Sequence, residues 1–261
     1  MNLIRLCAKR YLRRKAKAYS QIYPQVAAYA FDTITIGILV HGLYEKRHLE
    51  MLETHVFSNI DTDGICLDVG ANIGNHSLFF SRFFKAVYAF EPNPALYRLL
   101  DINSRLRNNI LTFPYGLGEH EQTLKAYIPR TNMGTLTFHP PENPDEYYQE
   151  DFDIRPLDSV PGILDKKISF IKVDIEGGEY AFFKGARNVI QTFSPVIAME
   201  INFRTGDPYK AVRYLQSLGY GEGFVIKRKT LFGLYKKFVL EKFQMDGNNY
   251  NLAIFSKKKI F

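Results

Sequence analysis

Short apolar runs alternate with amphipathic segments from residue 65 to residue 217 of the chain. The runs have the length of strands, and most are followed by apolar positions at helical spacing. Strands that alternate with helices form parallel βαβ units in a doubly wound sheet. Five runs are predicted as strands: residues 65–70, 86–92, 110–118, 168–178 and 195–203. Later runs at 223–229 and 250–258 predict a closing hairpin, so the fold class is α/β with a mostly parallel sheet and a C-terminal antiparallel hairpin.

The N-terminal part of the chain has a different pattern. Residues 1–20 predict a basic helix, and residues 26–40, rich in Ile, Thr and Val, predict a short strand or hairpin. We therefore divide the chain into a basic N-terminal segment, residues 1–44, and one domain, residues 45–261. Residues 129–157 contain five prolines and few apolar clusters. A loop of this length inside a domain is usually functional or disordered, and we expect it to shape a substrate pocket.

Four acidic residues lie at or near the carboxyl ends of predicted parallel strands: Asp68, Glu91, Asp174 and Glu200. Ligands of doubly wound sheets bind in the crevice outside these strand ends. The sequence therefore predicts a ligand site lined by carboxylates.

The loop after the first strand narrows the choice of ligand. It carries Gly70 and Gly74 but has Asn72 where the dinucleotide fingerprint has its second glycine. No nucleoside triphosphate loop, G-x-x-x-x-G-K-[ST], is present. The Asp68 carboxylate would repel a pyrophosphate but suits a ligand with positive charge. Glu91, 23 residues after Asp68, stands where such folds place a carboxylate that accepts hydrogen bonds from ribose hydroxyls.

S-adenosylmethionine has these features, because it carries an ammonium, a sulfonium and a ribose diol and has no phosphate. The alternative is that the two glycines only allow a tight strand-to-helix turn and that both acids are solvated. The loop, the preceding acid and the spaced second acid together favour the cofactor.

Four segments resemble, in order, the signatures of the FkbM-type S-adenosylmethionine-dependent methyltransferases: "LDVGANIGNHS", "VYAFEPNPALYRLL", "ISFIKVDIEGGEYAFFKGA" and "PVIAMEI". The resemblance covers roughly residues 45–205. It implies a Rossmann-like class I methyltransferase fold and O-methylation, often of hydroxyls on glycans or secondary metabolites. Residue by residue, it carries cofactor binding onto Asp68, Gly70, Asn72, Gly74, Glu91 and Asn93.

Methyl transfer to a sugar hydroxyl requires a base that removes the hydroxyl proton, or a metal that acidifies it. The run "IKVDIEGGE" offers Lys172, Asp174 and Glu176, which alternate along a strand and share a face. We predict that these three residues lie at the reacting end of the site. The alternative is that Lys172 and Asp174 form an ion pair, while Glu176 and Glu179 cap the start of the next helix. For Glu179 we favour this alternative, because acids are common in a first helical turn. A metal version of the site would use Asp174, Glu200 and Asn202 as oxygen ligands, but no metal is expected.

The charge of the chain is uneven. The formal net charge is +7, and residues 1–31 contain seven Lys and Arg residues and no acid. Two interpretations of residues 1–20 stay open: the segment contacts an anionic membrane surface without spanning it, or it is a solvated basic helix packed on the domain. The chain has two cysteines and shows neither a signal peptide nor a long apolar span, so we expect a cytoplasmic protein, peripheral at the inner face of the membrane.

Two other functions fit parts of the sequence. A nucleic-acid methyltransferase would suit the positive charge, but the "DIEGG" run departs from the Asn/Asp-Pro-Pro-aromatic motif of amino-methylating enzymes. The basic residues are also not interleaved with stacking aromatics, so nucleic acid is not the expected partner. A methyltransferase fold that binds the cofactor without turnover is the second alternative. The expected partner is a hydroxylated small molecule or glycan.

Overall fold

The computed structural model describes residues 3–30, 32–130, 136–138, 140–231 and 235–260. The helices are α1 (Leu3–Tyr19), α2 (Thr33–His41), α3 (Lys46–His55), α4 (Asn75–Phe80), α5 (Pro94–Ser104), α6 (Glu179–Gly185), α7 (Arg187–Phe193) and α8 (Pro208–Ser217). The strands are β1 (Ile65–Val69), β2 (Ala86–Phe90), β3 (Ile110–Phe113), β4 (Gly116–Leu117), β5 (Gln122–Pro129), β6 (Tyr147–Arg155), β7 (Ile168–Val173), β8 (Val196–Ile201), β9 (Phe224–Leu231), β10 (Tyr235–Lys242) and β11 (Tyr250–Phe255).

The central sheet has eight strands in the order β10-β9-β11-β8-β7-β1-β2-β3. The five strands from β8 to β3 pair in parallel, whereas β11 is antiparallel to both β8 and β9. Strand β10, which the sequence did not predict, forms a hairpin with β9. The predicted α/β class with a mostly parallel sheet and antiparallel C-terminal pairing is confirmed.

Both faces of the central sheet are covered by apolar side chains. Because successive residues of a strand point to opposite faces, Leu67 joins a cluster with Phe182 of α6, and its neighbour Cys66 joins another with Phe80 of α4. All five residues of β1 are buried, which explains why this strand reads as a continuous apolar run. The burial holds the ends of the parallel strands, and hence the site, in fixed positions.

The stretch between residues 110 and 157 is more ordered than predicted. The third apolar run divides into β3, in the central sheet, and β4, in a second sheet of order β4-β6-β5. Strand β6 lies inside the predicted loop and pairs with β5 antiparallel, from Gln122 opposite Ile154 to Pro129 opposite Tyr147. Its pattern was misread because it buries only two of its side chains, Phe152 and Ile154.

Residues 26–40, predicted as a short strand or hairpin, instead contain helix α2. The Asp32 side chain accepts the N–H of Ile34 at 2.7 Å, and Gly42, with φ of 85°, donates its N–H to the Ile38 carbonyl. Both ends of the helix are therefore capped, which outweighs the strand preference of its β-branched residues. The basic helix predicted over residues 1–20 is present as α1. The division of the chain at residue 44 stays a prediction.

Candidate active site

A cavity of about 380 Å³ lies at the carboxyl ends of the parallel strands. Three of the four acids that the sequence places there line its wall: Glu91, Asp174 and Glu200. The backbone of the glycine loop, from Gly70 to Ile73, forms another part of the wall. The volume is in the range of cofactor and small-ligand sites.

The glycines of the loop serve its backbone. Gly70 has φ of 77°, and a Cβ atom there would lie 1.9 Å from the Asp174 carbonyl oxygen. Gly74, with φ of 87°, precedes α4, and a Cβ atom there would lie 2.9 Å from Leu100. Between them Asn72 also has a left-handed conformation, with φ of 53°. The loop therefore turns sharply and brings the ends of β1 and β7 together.

Asp68 is buried beneath this loop. One of its carboxylate oxygens accepts a hydrogen bond from the Ser77 hydroxyl at 2.5 Å, and the other lies 3.5 Å from the Lys172 ammonium. Lys172 is 4% exposed and donates to the Gly70 carbonyl at 3.1 Å. The Lys172 ammonium therefore ties the buried acid to the backbone of the glycine loop.

The charge of Lys172 is stabilised by two acids. Burial alone would lower the pKa of Lys172, but the carboxylates of Asp174, 3.4 Å away, and Asp68 raise it above its ordinary value. The side chain is thus an ammonium at neutral pH and cannot accept a proton. Its contacts with Asp68, Asp174 and the Gly70 carbonyl support the glycine loop from below.

Glu91 supports the other side of the loop. Its carboxylate accepts the N–H of Asn72 at 2.8 Å and the N–H of Asn93 at 2.9 Å, one on each oxygen. Burial raises the pKa of Glu91 to about 7. A carboxylate offers about four lone-pair positions, so each oxygen still has room for a second donor. Asn93 itself begins α5, where its side chain accepts the N–H of Ala95.

Asp174, Glu176 and Glu200 also line the cavity, where they form an acidic wall. Burial and the neighbouring carboxylates raise the pKa of Glu176, and the same causes raise the pKa of Glu200 to about 8. Oε2 of Glu200 is buried, and no described residue forms a hydrogen bond with it. Among the three carboxyl groups, Asp174 has Lys172 as its partner whereas Glu200 Oε2 has none.

The turn that carries Asp174 and Glu176 is held by Glu179. Its carboxylate accepts the N–H groups of Gly177 at 3.2 Å and Ile175 at 3.4 Å. Glu176 has a left-handed conformation, with φ of 53°, and faces the cavity from this turn. Glu179 therefore shapes the turn at the start of α6.

Residues before the first strand cover the cavity. Asp32, Tyr44 and Glu45 line it together with His76 of α4 and Asn251 of β11. Glu45 accepts a hydrogen bond from the Asn251 amide at 2.7 Å and lies 3.4 Å from Nε2 of His76. Burial and the carboxylates of Glu45 and Asp174 raise the pKa of Tyr44 to about 12, which keeps its hydroxyl protonated.

Asn103 links this cover to the glycine loop. Its amide donates to the carbonyls of Ala27 at 2.9 Å and Ile73 at 2.8 Å, and its carbonyl accepts the Ala27 N–H at 2.7 Å. Asn103 is 1% exposed. One buried side chain therefore connects the N-terminal segment, the loop and α5.

The remaining wall is apolar and comes from the small sheet. It is built from Leu117, Leu124, Leu136, Phe138, Phe152 and Ile154. Part of the stretch that was expected to shape a pocket thus lines the cavity. His139, the histidine of this stretch, lies outside the described residues.

The structure brings most of the predicted site residues to one cavity, with Asp68 beneath it. The sequence places Glu200 at the ligand site but indicates a role for it only in the metal version, and it does not reveal the Glu45–Asn251 contact. Asn251 is 206 residues from Glu45, so no local pattern could connect them. Among the described residues, no group of three or more His, Cys, Asp or Glu side chains is arranged to hold a metal ion.

Two curated methyltransferases match more than half of this chain. The hexuronic acid methyltransferase AglP of Haloferax volcanii is 29% identical over 190 residues, which cover 65% of this chain and 72% of AglP. Methyltransferase 1 of Beauveria bassiana is 23% identical over 180 residues, which cover 60% of this chain and 72% of that protein. A crystal structure of methyltransferase FkbM from Methylobacillus flagellatus aligns with 93% of this chain at a TM-score of 0.49 and 19% identity. The chain spans 59% of the length of that protein.

The family model that matches is the methyltransferase FkbM domain, over residues 68–221. The match begins at Asp68, extends past α8 and includes both the glycine loop and the acidic wall. More than half of the chain lies within it. The protein is therefore a member of the FkbM family of S-adenosylmethionine-dependent methyltransferases.

Proposed function

We propose that the protein transfers a methyl group from S-adenosylmethionine to a hydroxyl of a sugar, in a glycan or glycolipid. The observation that carries this proposal is the carboxyl group of Glu200, which lines the same cavity as the glycine loop and has an oxygen without a hydrogen-bond partner among the described residues. A hydroxyl needs such an acceptor before it becomes a good nucleophile.

The residues on the loop side fit the cofactor. Glu91 has lone pairs left for two ribose hydroxyls, and the loop residues from Gly70 to Ile73 line the same cavity. The apolar wall of Leu117 and Ile154 suits an adenine ring. S-adenosylmethionine would supply an electrophilic methyl group on its sulfonium, a positive charge that the carboxylates lining the cavity would stabilise. Asp68 and Lys172 support the backbone of the loop, and Lys172 also lines the cavity.

The acidic wall is the acceptor side. Asp174 is paired with Lys172 at 3.4 Å, and its carboxyl oxygens can accept a hydrogen bond from a second sugar hydroxyl. Glu176 binds the acceptor beside it. Burial and the neighbouring carboxylates raise the pKa of Glu200 to about 8, and rotation about its terminal bond can turn either oxygen to the cavity. We assign proton removal to Glu200.

The sugar class is suggested by the relative that acts on hexuronic acid. The negative charge of the cavity lining limits which sugars can be inferred from this relative. Of the described residues that line the cavity, six are Asp or Glu and one is Lys, and that Lys172 is already paired. A carboxylate of an acceptor would be repelled close to Asp174, Glu176 and Glu200. We therefore infer that the sugar is uncharged near the hydroxyl that reacts.

Transfer of a labelled methyl group tests the function. The purified chain is incubated with S-[methyl-³H]adenosylmethionine and a total glycan and lipid extract of the organism that encodes it. Label in a glycan fraction that resists mild base, as an ether does, supports the proposal. Label in the nucleic-acid fraction supports the rival enzyme, and cofactor binding without any transfer supports an inactive binding protein.

The Glu91→Ala variant is expected to weaken S-adenosylmethionine binding by about 1–3 kcal/mol, because the ribose diol loses a charged partner. Isothermal titration calorimetry measures the change, and NAD, which should not bind, serves as the ligand control. Tight binding of NAD with no heat from S-adenosylmethionine would contradict the assignment of the loop.

A matched variant separates binding from loop support. Asp158 also accepts two backbone N–H groups, from Asn188 at 2.8 Å and Val189 at 3.0 Å, but at the start of α7. Asp158→Ala should lower the thermal midpoint without changing the cofactor Kd. Equal effects of both variants on Kd would show that Glu91 acts only on stability.

A further inference from the structure

Helices α1 and α2 form an outward-facing surface that the core does not use. In α1 every described side chain is exposed except Lys15 and Tyr19, which are half-buried. Helix α2 has the sequence "TITIGILVH", and none of its residues is buried. An apolar helix without a buried face is unusual in a globular domain, because burial of such a face normally stabilises the helix.

Exposed apolar side chains are concentrated in the N-terminal part of the chain, in α1, in α2 and between them. Of the sixteen large apolar side chains exposed in the described residues, eight lie within residues 4–39. They are Ile4, Leu6, Tyr11, Leu12, Ile22, Tyr29, Ile36 and Leu39. Ile36 and Leu39 are 54% and 50% exposed and, three residues apart, share one side of α2. Apolar patches of this kind mark interaction surfaces.

The two helices are fixed to each other and to the domain. The Tyr19 hydroxyl at the end of α1 donates to the Val40 carbonyl at 2.9 Å, and the Lys15 ammonium donates to that hydroxyl at 3.1 Å. At the other end of α2, Asp32 is buried and lines the active-site cavity with Thr33 and Ile34. The exposed middle of α2 is therefore held beside the cavity.

The charge of the surface selects the partner. Residues 1–31 carry seven basic residues and no acid. All seven lie in α1, whose C-terminal Tyr19 is hydrogen-bonded to Val40 of α2. Basic residues beside exposed aliphatic ones suit an anionic lipid surface, which offers both phosphate groups and a hydrocarbon interior. Nucleic acid offers the charge without the hydrocarbon. No described helix meets the length and apolarity that a membrane span requires.

We propose that α1 and α2 form a membrane-docking surface, in which α1 contacts anionic headgroups and Ile36 and Leu39 of α2 insert among them. Since the first residues of α2 line the cavity, docking brings the cavity to the lipid surface. Membrane docking is a property separate from the proposed methyl transfer, and it can be tested without cofactor or acceptor.

Vesicle sedimentation with the full chain tests the proposal. We expect the protein to pellet with phosphatidylglycerol-containing vesicles and to remain in solution with pure phosphatidylcholine. Ile36→Ser/Leu39→Ser should weaken the binding about tenfold, since two aliphatic side chains no longer leave water. Arg13→Gln/Arg14→Gln should weaken it by a similar factor and reduce its dependence on salt.

The matched control is Ile102→Ser/Leu106→Ser, which removes two exposed aliphatic side chains at and just beyond the end of α5. This variant should bind vesicles like the wild type, and thermal melting should show all variants folded. Unchanged binding of the α2 variant, or equal binding to neutral vesicles, overturns the proposal. If RNA displaces the protein from vesicles while the α2 variant still binds them, the surface recognises polyanions and not lipid.

Discussion

Glu200→Gln is expected to lower kcat about 10²–10⁴-fold while the affinity for S-adenosylmethionine stays nearly constant. The amide has almost the shape of the acid but cannot take the proton of the acceptor hydroxyl. The rate of label transfer to the same glycan and lipid extract measures the effect, and calorimetry measures the cofactor Kd. A change in Kd equal to the change in rate would assign Glu200 to binding and not to proton transfer.

The pH dependence follows from the same carboxyl group. Burial and the carboxylates of Asp174 and Glu176 raise the pKa of Glu200 to about 8. Only the deprotonated form can accept a proton, so kcat/KM should rise as the pH passes through about 8 and level off above it. Glu200→Gln should remove this rise along with the rate. A rise that persists in the variant belongs to another group.

Asp174→Asn and Glu176→Gln are the companions of this experiment. Each should raise KM more than it lowers kcat if the two residues bind acceptor hydroxyls. If instead Glu200→Gln retains wild-type turnover and Glu176→Gln does not, the base is Glu176. Wild-type turnover in all three would show that the acidic wall is not the reacting end.

Lys172→Met is expected to lower the free energy of unfolding by about 3–5 kcal/mol, because it leaves the Asp68 carboxylate buried without its partner. Asp68 is 0% exposed and Lys172 4% exposed, so neither charge can turn to water. Chemical denaturation measures the loss. The Gly70 carbonyl also loses its donor, so cofactor affinity should fall with stability.

Two controls distinguish the buried pair from a general effect of the substitution. Asp68→Asn/Lys172→Met removes both charges and should recover a large part of the lost stability. Lys242→Met breaks an ion pair with Glu222 whose side chains are 67% and 71% exposed, and it should cost at most about 1 kcal/mol. Equal losses in Lys172→Met and Lys242→Met would contradict the contribution of the buried pair.

Much of the loop side of the site could be predicted because its residues are close in the sequence. Gly70, Asn72 and Gly74 belong to one turn, and Glu91 follows at the end of the next strand. Parallel βαβ topology then brings Asp174 and Glu200 to the same edge. Periodicity and spacing are sufficient for such contacts, since each depends on one strand and its neighbour.

The residues before β1 that cover the cavity, the small sheet and the charge states of the site residues depend on contacts that no local pattern encodes. Strand β6 resembles a loop in its composition, and it is a strand because β5 pairs with it along its whole length. Helix α2 has strand propensity and is helical because Asp32 and Gly42 cap it. Lys172 is buried as an ammonium beside Asp68, and Oε2 of Glu200 is buried without a hydrogen-bond partner among the described residues. Both properties follow from burial, which cannot be read from the sequence.

The hydrogen bonds of Asn103 couple the backbone amide of Ala27 to the glycine loop. The Ala27 N–H is held by Asn103, whose amide also holds the Ile73 carbonyl in the loop. Fluctuations that open the loop therefore release the Ala27 amide to solvent as part of the same local unfolding event. When a ligand orders the loop, deuterium should enter the Ala27 amide more slowly, although the ligand never touches that residue.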